Sequence, residues 1–361
     1  MSRPLLVAAG GTGGHMFPAL AVAAELRRRG VEVAVLTDSR GARFAKAEPA
    51  VTVIGAATPR GAALDRIAAI GALGRGLAQS LAAIARLRPR AAAAFGGYAS
   101  VPAALAAVLC RVPLLLHEQN AVMGRANRLL ARLAARLALT FDETAGVPAV
   151  PAERLLLTGN PVRPGFAPGT GVSAGDGRLR LLVLGGSQGA RILSDVVPAA
   201  VALLDPALRR RLLIAQQCRP EDLERVAVAY RAIGQPVELA PFFDDVPRRM
   251  AAADLVVARA GASTIAELLA SARPSLLVPY AAAADDHQTA NARALERAGA
   301  AVLLPQAEAT PAACARLLGA LLDDPERRRA MSEAAARLAR PDAAARIADA
   351  VLALAGRDVT R

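Results

Sequence analysis

Two stretches of this chain repeat one local grammar: an apolar run of strand length, a glycine-rich turn, then a helical pattern. Pro4 to Ala9 leads through Gly10-Gly11-Thr12-Gly13-Gly14 into a helix expected over Phe17 to Arg29, closed by Gly30, with the next strand at Val31 to Leu36. Far downstream, Arg180 to Leu184 leads through Gly185-Gly186-Ser187-Gln188-Gly189 into a helix expected over Ala190 to Leu204. Strands alternating with helices specify parallel β-α-β units, since parallel neighbours need a crossover between them. Two such starts imply an α/β chain with two doubly wound domains. At 361 residues each half can bury a core of its own.

The break between the halves is punctuated. Asn160-Pro161-Val162-Arg163-Pro164-Gly165-Phe166 is followed by the Gly/Ser-rich run from Pro168 to Gly177, so a boundary is expected near Gly165, dividing residues 1–164 from 165–340. A last helix, from about Asp342 to Ala355, follows Arg340-Pro341.

Hydrophobic residues make up 54% of the chain and aromatics only 3%, which suits short helices packed on sheets. The net charge of +13 predicts attraction to anions. Nucleic acid is disfavoured among these, because the basic residues are scattered through helices and three Tyr, seven Phe and no Trp leave little to stack on bases. Cys110, Cys218 and Cys314 lie far apart with no C-x-x-C spacing, so neither a disulfide framework nor a zinc site is expected, and a reduced cytosolic compartment is. Neither a signal peptide nor a run of about 18 uncharged apolar residues is found.

A glycine-rich turn feeding a helix offers unpaired N–H groups and the positive end of the helix dipole, so both junctions are anion sites in waiting. Neither is a G-x-x-x-x-G-K-[ST] phosphate loop, and Met16 stands where a dinucleotide fingerprint wants a third glycine or alanine. Asp38, at the end of the second strand, is where an acid would meet an NAD ribose, which keeps an NAD-dependent oxidoreductase as an alternative; a plain polar strand end explains it better. The three histidines, His15, His117 and His287, all fall at expected loops or strand ends. His15 can accept a proton from a hydroxyl near neutral pH. Thr264 and Glu267 have the spacing of a capping box, which accounts for both without a ligand, while the functional alternative for Glu267 is a carboxylate on two ribose hydroxyls. The acidic pairs, such as Asp244-Asp245 and Asp285-Asp286, are adjacent and no D-x-D occurs, so no metal site is expected on a diphosphate.

Taken in order, Gly10-Gly11-Thr12-Gly13-Gly14-His15, Gly96-Gly97-Tyr98, His117-Glu118-Gln119-Asn120, Gly159-Asn160-Pro161-Val162-Arg163, Gly185 to Arg191, Gly261-Ala262-Ser263-Thr264 with Glu267, and Asp286-His287-Gln288 with Asn291 resemble the MurG family of glycosyltransferases. The likeness runs through nearly the whole chain. It implies the GT-B architecture, two Rossmann-like domains facing a central cleft, with a C-terminal helix near 341–361 returning to the first domain. It also implies inverting transfer of N-acetylglucosamine from UDP to the lipid-linked muramoyl acceptor, lipid I, without a cofactor or a metal. The first domain would face acceptor and membrane, and the second would hold the sugar nucleotide.

On this resemblance Phe243 meets uracil, Ala262, Ser263, Thr264, Ile265 and Ala266 wrap the nucleotide and its phosphates, Glu267 takes the ribose and Gln288 reaches the sugar. Arg163 and Ser187 stand beside the nucleotide and diphosphate, with Thr12, Gly13, Gly14 and Asn120 opposite. His15, Tyr98, His117, Glu118 and Asn127 line the acceptor side, with His15 as the base and Glu118 its rival. A UDP-N-acetylglucosamine 2-epimerase-like enzyme is the nearest alternative. The implied setting is the cytoplasmic face of the inner membrane, held peripherally, with cell-wall synthesis and division proteins as candidate partners. Ile67, Ile70, Leu77, Leu81 and Ile84, among Arg66, Arg75, Arg86 and Arg88, form a candidate amphipathic surface for anionic lipid, extended by Arg125, Arg128, Arg132 and Arg136. The competing reading of that stripe is a core-facing helix.

Overall fold

A computed structural model describes residues 3–46, 48–55, 63–98, 100–168, 177–186 and 189–356, without the side chains of 63–68. The chain divides into two compact units, one of residues 1–163 with 340–361 and one of 164–339.

The first unit runs β1 (Leu5–Ala8), α1 (Gly13–Arg28), β2 (Val33–Thr37), α2 (Ser39–Ala42), β3 (Val51–Val53), α3 (Ala63–Leu87), β4 (Ala92–Ala94), α4 (Ser100–Leu109), β5 (Leu114–Glu118), α5 (Arg125–Leu130), β6 (Arg136–Leu139) and β7 (Leu155–Leu157). Its described strands form one parallel sheet in the order β3-β2-β1-β4-β5-β6-β7. Alternate residues of β1 enter different cores. Leu6 and Ala8 join Ile84, Ala103 and Ala107 on one face, while Leu5 and Val7 join Met16, Val22 and Leu26 on the other. Both faces are therefore covered, which is why the strands read as unbroken apolar runs. Each buried Leu or Val contributes about 1.5–3 kcal/mol before conformational entropy is charged against it.

The second unit runs β8 (Leu179–Leu184), α6 (Arg191–Ala202), α7 (Pro206–Arg211), β9 (Leu212–Gln217), α8 (Leu223–Ala232), β10 (Val237–Ala240), α9 (Val246–Ala252), β11 (Leu255–Ala258), α10 (Ala262–Ala270), β12 (Ser275–Leu277), α11 (His287–Arg297), β13 (Ala301–Leu303), α12 (Pro311–Leu322) and α13 (Pro325–Leu338). Its described strands are again parallel, in the order β10-β9-β8-β11-β12-β13. The last helix, α14 (Ala343–Ala355), belongs to the first unit: Ile347, Ala348, Val351 and Leu354 enter its core beside α1, and Asp349 pairs with Arg29.

In each sheet the strand order reverses direction beside the first strand of the unit. A crevice forms at the carboxyl ends of the strands at such a switch point, and ligands of open α/β sheets bind there. The Gly10 to Gly14 loop follows β1 and Gly96-Gly97 follows β4, on either side of the first switch point; Gly185-Gly186 and Gly261 hold the corresponding places after β8 and β11.

The stripe on α3 corrects the lipid-surface expectation. Ile84 is buried, and Leu77 and Leu81 pack against the core of the sheet, so the helical spacing there marks a core-facing side. Ile70 is 63% exposed, and Arg66 and Ile67 lie outside the residues whose side chains are described. Other apolar side chains of the unit do reach solvent: Leu109, Leu129 and Leu133, the last two among exposed Arg125, Arg128 and Arg132. No described helix is long and apolar enough to cross a membrane. The cysteines are unpaired, and burial pushes the Cys314 thiol up to about 12.

Candidate active site

At the first switch point α1 begins at Gly13, four residues earlier than its apolar spacing suggests, because Thr12 is extended and the chain turns helical at the glycine pair. His15 thus lies in the first turn of a helix. No described residue accepts from the Gly13 or Gly14 N–H, so two amides and the dipole of a 16-residue helix meet at this end. His15 Nδ1 is 3.3 Å from Thr12 Oγ1. Its ring rests on Gly96 and Gly97, both left-handed (φ 80° and 78°): a Cβ added to Gly96 would come 3.3 Å from His15 Cδ2, and one on Gly97 would come 3.4 Å from Nδ1 and 2.8 Å from the Gly10 carbonyl. Only glycine lets both the backbone and the imidazole come this close. Tyr98, half-buried, follows directly.

Asp38 has a structural task. Its Oδ1 accepts from Gly11 N at 2.9 Å and Gly41 N at 2.8 Å, and Oδ2 accepts from Arg40, so the carboxylate holds the glycine loop and caps α2. It is 2% exposed and not presented to a ribose, which removes the residue that favoured NAD.

The end of β5 holds three of the expected acceptor-side residues within the fold. His117 is fully buried: its Nε2 donates to the Gly159 carbonyl at 3.0 Å, and burial drives its pKa down to about 4. Glu118 is 3% exposed and accepts from Asn120 N, Gly124 N and Asn127 Nδ2 at 3.0, 3.0 and 2.8 Å. A carboxylate so engaged organises the loop after β5 rather than meeting a hydroxyl. Asn127 is likewise buried, its Nδ2 also donating to the His117 carbonyl at 3.1 Å. Asn120 remains half-buried at the loop start, and the Arg163 guanidinium lies over the Phe17 ring of α1 at 4.9 Å.

In the second unit Gln217 Oε1 accepts from Gly185 N at 3.1 Å, and Gln217 Nε2 donates to Gly186 O and Pro241 O, both at 3.2 Å, pinning the glycine loop to β9. Sequence reasoning passed over Gln217; the available signal was a polar residue closing an otherwise apolar strand. Ser187 lies outside the described residues. Helix α10 starts at Ala262 with Gly261 as its N-cap, so Thr264 sits in its first turn and Glu267 in its interior, and no side-chain cap bond forms. The capping-box expectation fails because glycine caps the helix three residues before Thr264. Ala262, Ser263 and Thr264 instead form a first turn at the strand ends, with Ile265 and Ala266 packed beneath. Glu267 is buried on the following turn. Asn291 of α11 donates to the Ala260 carbonyl at 3.0 Å, and Gln288 accepts from Tyr280 N at 3.0 Å, which brings α11 beside this turn. The Phe243 ring is buried beneath Arg249, 4.2 Å from the guanidinium.

Two family models match in series: the glycosyltransferase family 28 N-terminal domain over residues 5–139 and the glycosyltransferase family 28 C-terminal domain over 180–347. The chain belongs to glycosyltransferase family 28. A relative of this glycosyltransferase from Granulibacter bethesdensis, named UDP-N-acetylglucosamine--N-acetylmuramyl-(pentapeptide) pyrophosphoryl-undecaprenol N-acetylglucosamine transferase, is 49% identical over 97% of this chain and 93% of its own length. The crystal structure of Acinetobacter baumannii MurG matches with a TM-score of 0.81 at 30% identity, covering 97% of this chain and 99% of that one, so the fold is that of the GT-B glycosyltransferases. A Neisseria meningitidis UDP-GlcNAc 2-epimerase bound to UDP-GlcNAc matches at 0.69 with 12% identity, covering 97% and 100% of the two chains, a likeness of fold alone.

Proposed function

We propose that this glycosyltransferase moves N-acetylglucosamine from UDP-N-acetylglucosamine to the 4-hydroxyl of the muramoyl unit of lipid I, yielding lipid II and UDP in peptidoglycan synthesis. The observation that carries the reading is full-length likeness, at 49% identity, to relatives named for this transfer. The acceptor oxygen attacks the anomeric carbon as the bond to the UDP oxygen breaks, the electron pair leaves with UDP, and configuration inverts. The transition state is oxocarbenium-like.

We assign the proton of the attacking hydroxyl to His15, the imidazole held against the Gly96–Gly97 backbone. Tyr98 is assigned to the acceptor beside it, and His117, Glu118 and Asn127 to the framework beneath. Thr12, Gly13, Gly14 and Asn120 are assigned to anionic and sugar oxygens at the reacting centre. We assign the nucleotide to the second unit, with Phe243 by the base, Glu267 on the ribose, Gln288 on the sugar, and the first turn of α10, with Ser187, on the diphosphate; Arg163, the last residue of the first unit before the break, is assigned to the nucleotide as well. Charge on departing UDP is then met by backbone N–H groups and a helix N-terminus, which need no reorganisation during the reaction.

The acceptor's lipid implies peripheral contact with an anionic membrane face. Of the α3 stripe we keep only the exposed Ile70, and we assign that contact to it and to Leu109, Leu129 and Leu133 with Arg125, Arg128 and Arg132, apolar side chains accompanied by cations. The function is tested by following radiolabelled N-acetylglucosamine from its UDP donor to a lipid I analogue, with and without EDTA. Label in the lipid fraction under both conditions supports the reading; label retained on the nucleotide overturns it.

A further inference from the structure

We propose that Gln119 is a positioning residue for transfer: its side-chain amide clamps the backbone on which His15 rests and holds His117 in a single tautomer. The proposal rests on the assignment of His15 as the base. Gln119 is 1% exposed, directly after β5. Its Nε2 lies 2.7 Å from the Phe95 carbonyl and 3.1 Å from His117 Nδ1. A carbonyl only accepts, so the amide must present its nitrogen there; turned over, it would set two oxygens against each other at the same distance. The second N–H faces His117 Nδ1 at 3.1 Å, with the His117 carbonyl a longer acceptor at 3.4 Å, and a donor nitrogen this near to Nδ1 favours a lone pair there. The imidazole proton therefore sits on Nε2, where it is donated to the Gly159 carbonyl at 3.0 Å.

The alternative states of His117 fail on the same contacts. An Nδ1–H form faces the Gln119 amide donor to donor and leaves an Nε2 lone pair against a carbonyl, and the imidazolium repeats the first conflict. Burial, which lowers the His117 pKa, acts in the same direction. One amide thus joins the ends of β4 and β5 and, through His117, the chain leaving β7. Phe95 is the residue before Gly96-Gly97, and its ring also meets the His117 ring at 5.3 Å. Any slip of the Phe95 carbonyl is passed to the two glycines that support the His15 imidazole. Gln119 Oε1 is buried without a hydrogen-bond partner among the described residues. Leaving it so is a net cost, and a methionine of similar length would fill the space without it. The two donors are what the amide supplies.

The test is Gln119→Met, with Gln119→Glu as a near-isosteric second variant that presents a carboxylate. Both are expected to lower kcat by about 10- to 100-fold with KM for UDP-N-acetylglucosamine within about twofold. Long-range proton–nitrogen NMR, simplified by there being three histidines, should show His117 of the unaltered protein as Nε2–H between pH 5.5 and 8, and a mixed or reversed tautomer in Gln119→Met. An Nδ1–H signal in the unaltered protein overturns the proposal, even if neither variant folds. So does a folded variant with undiminished kcat, or one that loses stability while His117 keeps its tautomer. His15→Ala, measured alongside, separates the two readings. Full turnover there removes the base assignment. Loss there beside undiminished Gln119→Met turnover removes this proposal alone.

Discussion

His15 is held by contact with backbone, with its Nδ1 beside the Thr12 hydroxyl and its ring over two left-handed glycines. General base catalysis by a positioned side chain is worth roughly 10²–10⁴ in rate. His15→Ala is therefore expected to lower kcat by about 10²-fold or more while KM for UDP-N-acetylglucosamine stays within about twofold, as steady-state kinetics will read; equal losses in both would place His15 in binding. His117 makes a different prediction. It stays neutral in the folded chain down to about pH 4, whereas an unfolded histidine takes up its proton near pH 6.5. Below that value the unfolded state binds a proton the folded state refuses. Stability is then fully present above about pH 6.5 and falls by about 3 kcal/mol toward pH 4. Denaturant unfolding at pH 4.5 and 7.5 should show this difference, and His117→Gln should flatten it.

At the scale of elements, the strand–turn–helix starts are legible because hydrophobic period and glycine placement act locally. β1, β2 and β8 appear within two residues of where the apolar runs put them. What the pattern leaves out is decided by tertiary contacts. The Thr264/Glu267 spacing satisfies a capping box, yet Gly261 caps α10 three residues earlier. The α3 stripe is equally consistent with lipid and with core until α4 is seen packed on it. The expected substrate contacts His117 and Glu118 are spent on the Gly159 carbonyl and the loop after β5, partners that only the fold brings near. The Gly96–Gly97 turn yields a sharp test. Gly97→Ala must carry a Cβ 2.8 Å from the Gly10 carbonyl at φ 78°, whereas Gly234→Ala, at φ 65°, meets nothing within 4 Å. Gly234→Ala should cost only the left-handed penalty of about 1–2 kcal/mol. Gly97→Ala should cost more in thermal melts and also reduce kcat, because the His15 support moves with it.

For the whole molecule, two parallel sheets each carry glycine turns at a switch point, and the last helix returns to the first unit. That organisation was legible from two repeated starts, a Gly/Pro-rich break and a helix after Arg340-Pro341. The chemistry was legible only because several motifs fall in register with one family, since dinucleotide enzymes and epimerases use related sheets. With Asp38 engaged by Gly11 and Gly41, UDP is expected to raise the melting temperature and NAD to leave it unchanged. The most direct measurement is product analysis by NMR and mass spectrometry after incubation with UDP-N-acetylglucosamine, with and without a lipid I analogue. A β-linked disaccharide on the lipid and equimolar UDP, formed only when acceptor is present, are the expected products. Conversion of the sugar nucleotide to its 2-epimer without acceptor, or an α-linked product, would contradict it.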